Sequence, residues 1–162
     1  MSKRWVVNAL PLILLQKIGH LKLLTDLCEE VIIPQGVVDE LSPEGIDLVW
    51  QLFFASSEKI TLLKEPVEIN ADVSGWDLGK GESEVISFAI KNPGYESILD
   101  DLEARKCAET FNIPLRGTVG IILYAKKKGI VAEAKPLIES LKNAGLWFSE
   151  DWLKNALNLV GE

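Results

Sequence analysis

Short apolar runs alternate with segments of helical spacing over residues 5–128, and this alternation constrains the fold more than any other feature. The runs are too short to be helices, and Pro, Gly or acidic residues end them, which is typical of buried strands. Strands that alternate with helices form a parallel sheet with helices on both faces. The sequence therefore predicts an α/β fold with a central parallel sheet. The predicted strands are residues 5–8, 31–33, 60–63, 97–99 and 114–116.

Helical spacing of apolar residues, with Pro and Gly at segment ends, predicts the remaining elements. A long polar connection, residues 64–80, has no predicted element. After Gly129 two amphipathic helices follow without a further strand, and we expect them to pack on the same core or on a partner. Residues 1–162 are thus predicted to form one domain, with residues 130–162 as a helical extension. The predicted helices are residues 12–17, 21–27, 37–41, 46–55, 82–91, 103–111, 118–128, 131–144 and 150–159.

Composition excludes several classes of function. The chain has 17 basic and 24 acidic residues and a net charge of −7, so it cannot coat nucleic acid through bulk charge. Its only cysteines, Cys28 and Cys107, lie far apart and are expected to be buried thiols, not zinc ligands or a redox pair. The apolar stretch at residues 6–15 is too short for a membrane span and lacks a cleavage site, so we expect a cytoplasmic protein.

Polar side chains follow the predicted strands, where a parallel α/β sheet binds its ligands. Carboxylates gathered at such an edge repel one another and are usually neutralised by a cation. Oxygen ligands without histidine or cysteine suit Mg²⁺ or Mn²⁺, which stabilise charge on a phosphate during hydrolysis. The pattern therefore indicates a metal site for phosphodiester hydrolysis. The residues at this edge are Asn8, Glu40, Glu82, Glu84, Asp100, Asp101 and Thr118.

Each of these acids also has a structural interpretation. Glu40 suits a solvated helix surface, and Glu82 suits the first turn of a helix, where the helix dipole favours an anion. Asp100 stands at capping-box spacing from Glu103 and so is a candidate cap for the next helix. Only the joint placement of the acids points to a metal.

Basic and aromatic residues near the acids are candidates for contact with a substrate. Arg105, Lys106 and Arg116 lie close to the predicted acids and are the best candidates for nucleic-acid binding. Among the five tryptophans, we expect Trp76 in the long connection to be the one exposed over a site. A phosphoacceptor domain is disfavoured because Asn8 stands where its acid pair would follow the first strand.

Five segments of the chain, in this order, resemble PIN-domain proteins. The resemblance spans nearly the whole chain and is closer to an uncharacterised prokaryotic PIN-like subgroup related to the VapC-type toxin ribonucleases. It implies a three-layer α/β/α sandwich with extra C-terminal helices. The segments are VVNALPLI (6–13), IIPQGVVDEL (32–41), GESEVI (81–86), LDD (99–101) with ARKCA (104–108), and GTVG (117–120).

The resemblance also implies an activity and partners. It implies an endoribonuclease that depends on Mg²⁺ or Mn²⁺, and a homodimeric toxin held inactive by a small antitoxin. The family's catalytic and metal-binding acids fall on Glu40, Glu82 and Asp100 or Asp101. Glu84 and Thr118 fall on supporting polar positions.

The chain departs from the family at the end of the first strand, where Asn8 replaces an aspartate. Asn8 offers one neutral carbonyl oxygen in place of a charged carboxylate, which weakens a metal site. Two interpretations therefore stand side by side. The first is an active metal-dependent ribonuclease, and the second is a catalytically weak PIN-like module that binds nucleic acid or protein.

Overall fold

A computed structural model describes residues 3–162 and shows a parallel sheet flanked by helices. The strands lie in the order β3-β2-β1-β4-β5, and every neighbouring pair is parallel. The predicted α/β class, a central parallel sheet covered by helices, is confirmed. The strands are β1 (Lys3–Val7), β2 (Cys28–Ile33), β3 (Ile60–Leu62), β4 (Glu96–Ile98) and β5 (Leu115–Arg116).

Helices connect the strands and follow the last one. The helices are α1 (Ala9–Lys17), α2 (Lys22–Leu27), α3 (Gln35–Leu41), α4 (Leu48–Ala55), α5 (Ala71–Ser74), α6 (Lys80–Lys91), α7 (Leu102–Thr110), α8 (Thr118–Lys127), α9 (Lys135–Asn143) and α10 (Glu150–Asn158).

Strand β1 occupies the centre of the sheet, and its last three residues are fully buried: Trp5, Val6 and Val7. Burial on both faces is what a central parallel strand requires, and it explains the continuous apolar run. The chain order of the strands reverses between β1 and β4, which pair from Trp5 to Val7. Ligands of parallel α/β sheets bind at such a reversal, outside the carboxyl ends of the strands.

Some predicted boundaries were wrong. The connection 64–80 contains the short helix α5, whose first turn is capped by the side chain of Asn70 accepting from Asp72 N at 2.9 Å. Four residues carry too little helical periodicity to be recognised in a sequence. Asn8 does not end the first strand but stands at the N-cap of α1.

The predicted exposure of Trp76 was also wrong. Trp76 is half-buried and packs against the hydrophobic core, because the connection folds back on the domain. Trp147, between α9 and α10, is instead 83 % exposed. The two cysteines are buried free thiols, as predicted.

Helices α9 and α10 bury apolar residues in the same hydrophobic cluster as the sheet, with Ile138, Leu141 and Leu153 as examples. The side chain of Glu162 accepts hydrogen bonds from Ala134 N (2.6 Å) and Lys135 N (3.0 Å) at the start of α9. Across residues 3–162, no helix has the length and apolar character needed to cross a membrane.

Candidate active site

The candidate site lies at the carboxyl ends of β1 and β4, where α1, α6 and α7 begin. Asn8 is anchored there because its backbone N–H donates to Ile98 O at 3.1 Å. An N-cap asparagine usually accepts from the second or third helical N–H. Here the third helical residue is Pro11, which has no N–H, and the side chain makes no capping bond. The buried Asn8 Oδ1 therefore has no hydrogen-bond partner among residues 3–162.

Gly81, in the first turn of α6, lets two other elements approach each other. Its backbone N–H donates to Glu40 Oε1 at 3.1 Å. A Cβ atom at this position would lie 2.8 Å from Glu40 Oε1 and 3.3 Å from Asn8 Oδ1. The glycine thus leaves space in which side-chain oxygens from α3 and from the end of β1 face the same helix start.

The ionisation of Glu82 is perturbed by its surroundings in the site. Burial, the charge of Asp101, a hydrogen bond with Asp101 and the charge of Glu40 together raise the pKa of Glu82 to about 7. Its Oε2 atom is buried and lacks a hydrogen-bond partner in the described part of the chain. Glu40, Glu82 and Asp101 therefore lie near one another, and we call these three residues the acid group.

Asp100 belongs to a different arrangement from its neighbour. Its carboxylate accepts from Thr118 N at 2.9 Å and from Thr118 Oγ1. Burial raises the pKa of Asp100, while these two bonds and the nearby charge of Arg105 lower it. The interpretation of Asp100 as a helix cap was wrong, because Asp101 caps α7 by accepting from Ala104 N at 3.0 Å.

Glu84 is held away from the acid group. It is 1 % exposed, and its Oε1 atom accepts from Val67 N at 3.1 Å. Its Oε2 atom packs against Gly36, where any Cβ atom would overlap with it. Through this hydrogen bond, Glu84 of α6 holds the segment that precedes α5.

The predicted basic residues are placed differently from one another. Arg105 donates to Leu99 O at 2.9 Å, and Arg116 pairs with Glu96 at 3.3 Å and stacks on Tyr124, 4.8 Å from the ring centre. Both line one groove beside Asp100. Lys106 lies on the exposed side of α7 and pairs with Glu103 at 3.4 Å.

The groove has a volume of about 730 Å³ and lies between β5, α8 and the start of α10. Trp147, Phe148 and Trp152 form its aromatic wall. Sequence reasoning missed this feature, although two tryptophans within the short segment LWFSEDW (146–152) were a usable signal.

The donor atoms of the site suit a hard divalent cation. Within the described range 3–162, no three Asp, Glu, His or Cys side chains stand ready as a metal-binding group. Mg²⁺, however, usually keeps several waters and is held through only one or two carboxylates. Two buried oxygens without partners, Asn8 Oδ1 and Glu82 Oε2, lie beside Glu40 and Asp101. These oxygen donors therefore fit Mg²⁺ or Mn²⁺.

A parallel sheet with acids gathered at its carboxyl edge is compatible with a nuclease-like α/β domain. A family model described as a PIN domain matches residues 4–162, so the chain belongs to the PIN-domain family. PIN domains are nuclease-type domains that generally use divalent metals, and the family suggests a nucleic-acid substrate. No curated protein matches the chain.

Proposed function

We propose that this protein is an endoribonuclease that depends on Mg²⁺ or Mn²⁺. The observation that supports it is the meeting of Asn8 Oδ1 and Glu40 Oε1 around Gly81, next to Glu82 and Asp101. When bound, the ion supplies a Lewis acid for the phosphate and activates water. Asn8, Glu40, Glu82 and Asp101 would hold it. Asp101 is favoured over Asp100, whose carboxylate is engaged by Thr118 and lies beside Arg105.

The residues of the chain contribute proton handling and positioning. In the metal-free chain the pKa of Glu82 is about 7, so this carboxyl is partly protonated at neutral pH and would release its proton when an ion binds. The carboxylate of Asp100 is fixed by Thr118, so it orders the turn at Gly117. Arg105 compensates the charge of Asp100 and holds Leu99 O.

The test is cleavage of unstructured and structured RNA with Mg²⁺ or Mn²⁺ by a double variant of the acid group. Glu40→Gln with Asp101→Asn should lower the cleavage rate by about a hundredfold or more. The matched control is Asp39→Asn with Glu103→Gln, which neutralises two exposed acids adjacent to the site on the same helices. Equal rates of RNA cleavage by the two double variants would contradict the proposal.

The second candidate is a catalytically weak module that binds nucleic acid or protein, and the neutral Asn8 favours it. Asn8→Asp restores a carboxylate at nearly the same volume. On the nuclease proposal, this variant should bind Mn²⁺ more tightly in calorimetry and retain or increase cleavage. If the native chain binds RNA, binds no ion at millimolar Mn²⁺, and Asn8→Asp gains neither property, the module is supported instead.

We further propose that the protein acts as the toxin of a toxin–antitoxin pair, as a cytoplasmic homodimer held inactive by a small antitoxin. Its membership of the PIN-domain family and its resemblance to VapC-type toxins support this proposal. Induced expression should arrest growth, and co-expression of a small helical protein encoded by the adjacent gene should relieve the arrest. Sedimentation equilibrium tests the dimer. Growth unaffected by strong induction would contradict the toxin role.

A further inference from the structure

The groove beside Asp100 presents aromatic surface that packing within the chain does not cover. Trp147 is 83 % exposed and Trp152 is 47 % exposed. The wall is nevertheless well supported, because the rings of Phe148 and Trp152 pack with centroids 5.5 Å apart and Phe148 is buried. Ser149 fixes the start of α10 by accepting from Trp152 N at 3.1 Å. A supported but exposed indole is typical of a binding surface.

Two of the three charged side chains that line the groove are basic, although the chain as a whole is acidic. Its charged lining residues are Arg105, Arg116 and Asp100. Asp100 is engaged by Thr118 and lies beside Arg105, and Glu96, which pairs with Arg116, is not part of the lining. In a chain of net charge −7, two guanidinium groups in one groove favour an anionic occupant.

The groove borders the candidate active site at the carboxyl end of β4. Asp100 lines the groove, and the next residue, Asp101, belongs to the acid group with Glu82. A polynucleotide lying across the acid group would therefore carry its neighbouring nucleotide to the groove. A base can stack on an indole only if it is not already stacked on its neighbours in the strand. The exposed indole therefore suits a single strand, not a duplex.

We propose that the groove binds an unstacked base of single-stranded RNA, with the base against Trp147 and its phosphate near Arg105 and Arg116. This inference rests on the proposed function, because it assigns a nucleotide-binding subsite to the same nuclease. Stacking tolerates every base, so the subsite selects single strands over duplexes and not one sequence over another.

The test is the affinity of the full chain for a fluorescent single-stranded RNA decamer, measured by anisotropy in EDTA so that no cleavage occurs. Trp147→Ala should weaken binding about fivefold or more, and Trp147→Phe should retain most of the affinity because it keeps a ring. Leu159→Ala, which truncates a side chain that is 69 % exposed and outside the groove, should bind like the native chain. A duplex of the same sequence should bind more weakly.

Three results would overturn the inference. The first is equal RNA affinity for Trp147→Ala and Leu159→Ala. The second is a dimer that Trp147→Ala dissociates without any change in RNA affinity, since the occupant would then be a second copy of the chain. The third is binding of an antitoxin helix with no RNA binding, since that helix would then be the occupant.

The failure of this inference is distinguishable from failure of the proposed nuclease. The variant Glu40→Gln with Asp101→Asn should lose cleavage but keep Trp147-dependent binding in EDTA. If the native chain cleaves no RNA with either metal yet shows that binding, the subsite stands and the nuclease proposal fails. If cleavage depends on the acid group while Trp147→Ala changes neither affinity nor KM, the nuclease stands and the subsite fails.

Discussion

The carboxamide of Asn8 changes the electrostatics of the acid group. An aspartate at this position would add a further negative charge beside Glu40 and Glu82, whose pKa is already raised by Asp101 and Glu40. The neutral amide limits this repulsion when no cation is bound, at the expense of affinity for a cation. Asn8→Asp should therefore destabilise the metal-free protein even where it strengthens ion binding.

The raised pKa of Glu82 predicts a pH-dependent stability. The pKa is about 7 in the folded chain, against 4.5 for the free side chain, so the folded state binds more protons between these values. The raised pKa of Glu82 should therefore stabilise the folded chain fully below pH 4.5. This stabilisation should be lost as the pH rises through 7. After solvent screening is allowed for, we expect a loss of about 1–2 kcal/mol.

Glu82→Gln should remove this dependence. Urea unfolding in EDTA from pH 4.5 to 8 measures it as the difference between the native chain and the variant. Glu103→Gln, which alters an exposed acid on α7, serves as the control. If the difference in free energy of unfolding between the native chain and Glu82→Gln is the same at every pH, the pKa of Glu82 is not raised.

The starts of helices, more than their lengths, build the site. Helices α1, α6 and α7 all begin at the carboxyl edge of the sheet, where their dipoles partly offset the charges of the acids. Because Gly81 has no side chain, Glu40 and Asn8 can approach the start of α6 closely. The proposed ion site thus depends on the absence of a side chain at Gly81.

Gly81→Ala should therefore separate stability from function. Alanine favours the helix by about 1 kcal/mol, and the atom it would displace, Glu40 Oε1, ends a flexible side chain. We expect unchanged or higher resistance to urea, together with at least tenfold weaker Mn²⁺ binding by calorimetry. Gly75→Ala is the control, since its Cβ atom would meet only Asp72 O at 3.9 Å. Unaltered Mn²⁺ affinity in Gly81→Ala would remove Glu40 from the proposed ion site.

The elements of the fold were largely predictable from the sequence, because short apolar runs mark β1 and β2 and apolar spacing marks most helices. The sequence did not predict which acids lie close to one another in the site. Asp100 and Asp101 are adjacent in the chain, yet their carboxylates have different neighbours. Which of the two lies near Glu82 and which binds Thr118 depends on the positions of α6 and α8, and these helices are distant from each other in sequence. The exposure of Trp147 depends likewise on how α9 and α10 pack.

At the scale of the whole molecule, the carboxylate of Glu162 adds polar contacts to the apolar packing that holds α9 and α10 on the sheet domain. Glu162 accepts from Ala134 N and Lys135 N, which are free donors at the start of α9, and pairs with Lys126 of α8 at 3.4 Å. These bonds lower the pKa of Glu162. The same helices carry the wall of the groove, so this contact supports the proposed subsite.

Glu162→Ala should lower the free energy of unfolding by about 0.5–2 kcal/mol, the usual effect of removing a helix cap. Thermal and urea unfolding measure this loss. Glu139→Ala, an exposed acid on α9, is the control and should stay within about 0.5 kcal/mol of the native chain. A loss no greater than that of the control would mean that solvent replaces the cap without penalty.

The strand order also has a consequence for the chain while it is being synthesised. Strand β1 pairs early with β2, but its other edge waits for β4, and Trp5 and Glu96 stand 91 positions apart. At ribosomal speed this delay is roughly 5–20 s, during which one edge of β1, including its apolar residues Trp5, Val6 and Val7, is unpaired. Such an edge is a template for aggregation. The nascent half-sheet is therefore the stage at which a chaperone would be of most use to this protein.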